Sequence, residues 1–170
     1  MPDLGNLPLS NLLLAALSES DHELLYPHLE PVEIALKQDI ELPNASIENV
    51  YFPESGMVST VSGSEDGNVE VGLIGREGVN GVPILLGADS SPNKVYVQVA
   101  GRALRIGADD FRNAVEQSES LRSMLLRYVQ VFLIQASQTA LANARFKIEE
   151  RLARWILMAD DRVDTPLAGC

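Results

Sequence analysis

Val50-Tyr51-Phe52-Pro53-Glu54-Ser55-Gly56-Met57-Val58-Ser59 and Val69-Glu70-Val71-Gly72-Leu73-Ile74-Gly75-Arg76-Glu77-Gly78 are the two runs that decide the fold. In each, apolar residues fall into short alternating groups with the two-residue period of a half-buried strand, and a proline or glycine then interrupts. Between them, Gly63-Ser64-Glu65-Asp66-Gly67-Asn68 is rich in residues that tolerate a positive φ, so it reads as a hairpin turn. Gly72, Gly75, Gly78 and Gly81 recur every three residues. Two explanations stand open: tight turns and close packing in a small barrel, or backbone amides that approach an anion.

Toward the N terminus, Val32, Ile34, Leu36, Ile40 and Leu42 alternate as a further strand over Val32 to Leu42, closed by the turn Pro43-Asn44-Ala45-Ser46. Asn11 to Leu17 and Asp21 to His28 carry helical patterns, the second with Ser18, Ser20 or Asp21 as N-cap. In the other direction come a short apolar run, Val82 to Leu86, and a polar loop, Ala88 to Asn93. Val95, Val97 and Val99 with Leu104 and Ile106 then make the last strands. Many short strands with glycine turns predict a jelly-roll or β-roll.

From Asp109 to Asp161 the period becomes helical. A helix over Asp109 to Gln117 precedes a longer one capped by Ser118 or Ser120, in which Leu121, Leu125, Tyr128, Phe132, Gln135, Thr139, Ala142 and Phe146 form a heptad seam. Met124, Leu126, Val129, Val131, Leu133 and Ile134 spread apolar surface beyond that seam. Such a helix is expected to touch its own barrel on one face and a twin helix on the other, which predicts a homodimer with the seam as its interface. The alternative is a monomeric core helix. Lys147 to Asp161 forms a last helix, with Trp155 as a packing residue.

The 170 residues suffice for one domain with an appendage. No run of 18 apolar residues crosses a bilayer, and residues 1–20 lack a secretory signal, so a cytoplasmic location and no membrane partner are expected. The formal net charge of −11 opposes binding to phosphate backbones. Cys170 stands alone and offers neither a disulfide nor a cluster site, while His22 and His28 read as helix-surface or packing residues. With no metal-ligand spacing and no nucleophile–base arrangement, the chain is expected not to be an enzyme, with no cofactor, no metal and no catalytic residues.

The two opening runs, together with Ile-Glu-Glu-Arg-Leu-Ala-Arg-Trp-Ile-Leu-Met-Ala-Asp-Asp at Ile148 to Asp161, closely resemble Crp/Fnr-type bacterial transcription regulators, the family of the cAMP receptor protein. The resemblance spans Asn11 to Val163. It implies an α+β fold: a jelly-roll of the cyclic nucleotide-binding type with N-terminal helices (residues 1–117), a long C-terminal dimerisation helix (118–146) and the start of a DNA-binding unit (147–170). The recognition helix and wing of such a unit would lie beyond Cys170, so DNA is an expected partner only if a winged helix-turn-helix is attached there.

The resemblance also locates an effector site. Family members that bind cyclic nucleotides use a Gly-Glu pair on the sugar and an Arg-Ser pair on the phosphate. Those positions fall here on Val79 and Asn80, and on Asn93 and Lys94, and none matches. Lys94 supplies some charge and Asn80 a hydrogen bond, but the guanidinium fork is gone. The purine-facing positions fall on Ala136 and Ser137, of which Ser137 keeps a hydroxyl. Arg76 and Glu77 either line an altered pocket or are surface charges in a turn. The expected function is therefore a regulatory sensor and dimerisation module that answers an unidentified small-molecule effector and does not bind cAMP in the usual way. The alternative is a cyclic-nucleotide-type binding module that regulates a partner protein.

Overall fold

Two antiparallel sheets form from the interrupted runs in the computed structural model, which describes residues 9–64 and 67–162. Glu65 and Asp66 of the hairpin turn, and the tail from Val163 to Cys170, lie outside the described residues. Two short helices, α1 (Leu12–Ala15) and α2 (Glu19–Leu25), precede the strands. One sheet has the order β1 (Glu30–Ile34), β7 (Gly101–Gly107), β3 (Asn49–Pro53). The other has the order β2 (Asp39–Glu41), β6 (Lys94–Val99), β4 (Met57–Ser64), β5 (Gly67–Ile74), which leaves β5 at an edge. A short helix, α3 (Val82–Leu85), lies between β5 and β6. Three helices close the described chain: α4 (Ala108–Gln117), α5 (Glu119–Arg145) and α6 (Ile148–Asp160).

The expected strand over Val32 to Leu42 is two strands. Lys37 turns at φ 67, and the Ala35 amide bonds to the Gln38 side chain, closing a turn between β1 and β2. That turn shifts the alternation by one residue: Ile34 is buried, but Leu36 and Leu42 are exposed and Glu41 points inward. Between the sheets pack Ile34, Val58, Ile74, Val95, Val97 and Ala103. A second apolar cluster joins Leu14, Leu25, Val50, Phe52 and Ile106 to Phe111 of α4 and to Leu121 and Leu125 of α5.

The long helix lies on its own roll, and the glycine run is what lets it. A Cβ on Gly72 would stand 2.7 Å from the Phe132 ring, and one on Gly78 would stand 2.6 Å from the Tyr128 hydroxyl. Tyr128 also donates to the Val79 carbonyl at 2.9 Å. Gln135 treats the edge strand β5 as a neighbouring strand would: its Oε1 accepts from the Leu73 amide at 2.6 Å and its Nε2 donates to the Leu73 carbonyl at 3.2 Å. These bonds satisfy part of an edge that would otherwise be open. At its start, α5 is capped by Ser118, whose hydroxyl and that of Ser120 also donate to the buried Asp21 of α2.

This geometry covers much of the expected dimer seam from within the subunit. Leu121, Leu125, Tyr128 and Ala142 are buried within the subunit, and Phe132 and Gln135 face the roll. Thr139 accepts from Arg154 of α6, which folds back so that Trp155, Met158 and Ala159 pack on Met57, Leu73 and Val99. Phe146 is exposed in the link to α6. The physical reason is that a heptad describes one apolar face without saying which neighbour covers it, and the roll takes that face. The opposite face is left outward, with Leu126, Leu133, Ile134 and Leu141 exposed.

Because the Gly78 site has no room for a Cβ, Gly78→Ala is expected to lower the unfolding free energy by about 1–3 kcal/mol through overpacking. Urea denaturation followed by circular dichroism checks this, and an unchanged midpoint contradicts it.

Candidate functional site

The inward turn of Glu41 has a chemical consequence, because its carboxylate ends in a small cavity of about 90 Å³ within the roll. β2 supplies Glu41, β4 supplies Thr60 and the end of β5 supplies Ile74. The segment after the glycine run contributes Asn80 and Gly81, which lead into Val82 and Pro83 of α3. Ser91 and Asn93 come from the loop before β6, Val95 from β6 itself, and Phe132 from α5.

Asn80 organises one wall. Its Oδ1 accepts from the Tyr51 amide of β3, and its Nδ2 donates to Glu41 Oε1 at 2.7 Å. The Gly81 amide donates to the same oxygen at 2.9 Å. Gly81 has φ 76, and a Cβ there would meet Val50 at 2.7 Å, so both the turn and the packing require glycine. Glu41 is only 5% exposed. Burial pushes its carboxyl above the ordinary glutamate range, against the opposing pull of the hydrogen bonds from Asn80 and Gly81. Among the described residues, no lysine, arginine or histidine lines the cavity.

Of the expected effector residues, Asn80 and Asn93 line this cavity. Val79 is buried in the core and offers its carbonyl to Tyr128. Lys94 pairs with Asp39 at 2.7 Å, away from the lining. Glu77 pairs with Arg162, just past α6, at 2.6 Å, and Arg76 accepts from the Leu12 amide through its carbonyl. Ser137 is exposed and donates back to the Leu133 carbonyl of its own helix. The positive charge expected of Lys94 is thus spent outside the cavity, and the one charged side chain among the described residues of the lining is an acid.

Glu41 escaped the sequence because the apolar Ile40 and Leu42 flank it, and strict alternation assigns the inward positions to them. Phe132 was legible only as a seam residue. The histidines lie apart from the cavity: His22 Nε2 donates to the Leu14 carbonyl at 2.8 Å, and His28 stands 3.4 Å from the Asp110 carboxylate. Among the described residues, no group of three His, Cys, Asp or Glu side chains could hold a metal ion. No helix among them is long and apolar enough to cross a membrane.

No family model and no curated sequence matches the chain. Solved structures do. The c-di-GMP responsive global regulator CLP of Xanthomonas campestris is 15% identical, with a TM-score of 0.68 over 89% of this chain and 75% of that one. A putative transcriptional regulator of the Crp/Fnr family from Eubacterium rectale is 11% identical, with a TM-score of 0.73 over 88% and 71%. A cyclic nucleotide-binding-like protein from Brucella abortus is 17% identical, with a TM-score of 0.50 over 61% and 90%. These likenesses show the fold: an α+β β-roll of the cyclic nucleotide-binding type, with N-terminal helices and a long C-terminal helix.

Because folding raises the Glu41 pKa, its protonated form is the one the folded state favours. That contribution is present below the unfolded value near 4.5 and is lost as pH rises through the folded value. Glu41→Gln, which keeps an acceptor for Asn80 and Gly81, is therefore expected to be at least as stable as the wild type at pH 7 and to lose that advantage toward pH 4. Urea midpoints across this range check it, and a variant less stable at pH 7 contradicts it.

Proposed function

We propose that this chain is the effector-sensing and dimerising part of a transcription regulator of the Crp/Fnr type, a non-enzymatic module working in the cytoplasm. The observation that carries the proposal is the position of Phe132. Its ring lines the cavity, while the other side of the same helix presents Leu126 and Leu133, and Ile134 and Leu141, each pair seven residues apart. These four side chains are 42%, 51%, 52% and 49% exposed. Seven-residue spacing is what a second helix of the same kind needs for knobs-into-holes packing, and a two-fold pair of identical helices supplies it. Occupancy of the cavity then bears on Phe132 and, through a rigid helix, on the pairing of two subunits. An effector acts by its differential affinity for the two arrangements.

The output depends on whether a DNA-reading unit is joined to α6. A winged helix-turn-helix attached beyond residue 170 makes DNA the partner, with α6 as the leading helix of that unit. Without it, the formal net charge of −11 favours a partner protein over a phosphate backbone. The effector is not cAMP in its usual mode, because among the described residues the cavity lining offers no cation to a cyclic phosphate.

Two measurements test this function. Sedimentation equilibrium is expected to give a dimer for the wild type and a folded monomer for the Leu133→Glu, Ile134→Glu double variant. A wild-type monomer at micromolar concentration contradicts the proposal. Calorimetry with cAMP is expected to show no binding at about 10 μM or tighter, and such binding overturns the assignment of the cavity.

A further inference from the structure

We infer that the cavity in the roll is a cation site, built to take a small molecule with a primary ammonium group that docks on the Glu41 carboxylate. This rests on the cavity being the effector pocket and adds the chemical class of the effector. The hydrogen bonds that Asn80 and Gly81 donate to Glu41 both fall on a single oxygen, Oε1, and both donors are neutral. A carboxylate taken out of water is costly unless a cation or further donors meet it. Among the described residues of the lining, nothing supplies a positive charge. Lys94 is turned outward to Asp39, and Arg162 is held by Glu77.

The rest of the lining fits the same ligand. An ammonium group has three N–H donors and no acceptor. Thr60, Ser91 and Asn93 are oxygen-bearing residues of the cavity wall, so acceptors accompany the acid. Ile74, Val95 and Phe132 form an apolar side suited to a short alkyl stem. At about 90 Å³ the space admits a ligand of only a few non-hydrogen atoms. An anion of the same size meets Glu41 as a like charge and finds no fork of donors to offset it. The polarity of the pocket is thereby set by an acid, in a fold whose relatives include a cyclic nucleotide-binding-like protein.

The test is a ¹H–¹⁵N correlation titration of the full chain at pH 7 with ethylammonium, with ethanol as an uncharged molecule of similar shape, and with inorganic phosphate. Ethylammonium is expected to shift the Gly81 amide and the Asn80 side-chain amide saturably, at least tenfold tighter than ethanol, while phosphate leaves both unmoved. In Glu41→Gln the preference for ethylammonium over ethanol is expected to vanish. Equal binding of ethylammonium and ethanol to the wild type, or tighter binding of phosphate, overturns the cation site and leaves the effector pocket standing. If none of the three probes moves these resonances, both fall together. The wild-type comparison decides the matter even if the variant fails to fold.

Discussion

Gly72 and Gly78 leave bare backbone where the rings of Phe132 and Tyr128 come down, and the seating of α5 on the roll depends on that fit. A methyl group at either position would collide with an aromatic side chain of α5, so the ring or the helix would have to shift. With the backbone bare, the helix comes close enough for Gln135 to pair with both polar groups of Leu73 at the open edge of the sheet. Gly75 does the same for Arg162, whose Cγ would lie 2.8 Å from a Cβ there, and Arg162 in turn holds Glu77. The glycine spacing is therefore a docking surface for the helices rather than an anion cradle.

That docking makes α5 a shared wall. One side of it seals the apolar cluster through Leu121 and Leu125, and further along Phe132 closes the cavity beside Glu41. The other side carries the exposed Leu126, Leu133, Ile134 and Leu141. Asp21 anchors the start of the helix: burial alone would raise its pKa, but hydrogen bonds from Ser118, Ser18 and Ser120 outweigh burial and lower it. The carboxylate is thus held charged, joining α2 to α5, and this tie strengthens as pH rises above the folded value and is complete above the unfolded aspartate value. Glu70 stands in the opposite condition. Burial raises its pKa despite Ser59 and Trp155, so its link between the edge hairpin and α6 carries a desolvation cost.

Much of this was legible in the residues. Breaks at Pro53 and Gly56, the alternation of Val95 and Val97, and the change of period at Asp109 lead to a roll followed by helices. The boundary between α5 and α6 at Phe146 and Lys147 also follows from periodicity. Which way a face points did not follow. Leu36 and Leu42 look inward by alternation, yet the turn at Lys37 puts Glu41 inside instead. Leu121 to Phe146 looks like a seam between subunits, yet most of it is spent on the subunit's own roll. Both have one cause: a period reports that a residue is covered, and only the tertiary fold decides by what. The family resemblance points to Asn80 and Asn93, which line the cavity, whereas Glu41 carries no local signal at all.

The arrangement of α5 is tested most directly by an isotope-filtered NOE experiment on a sample mixed from labelled and unlabelled subunits. Cross-peaks from the Tyr128 ring to Gly78 and from the Phe132 ring to Gly72 are expected within one subunit and absent from the filtered, intermolecular spectrum. Their appearance between subunits, or their absence from both spectra, would contradict the account.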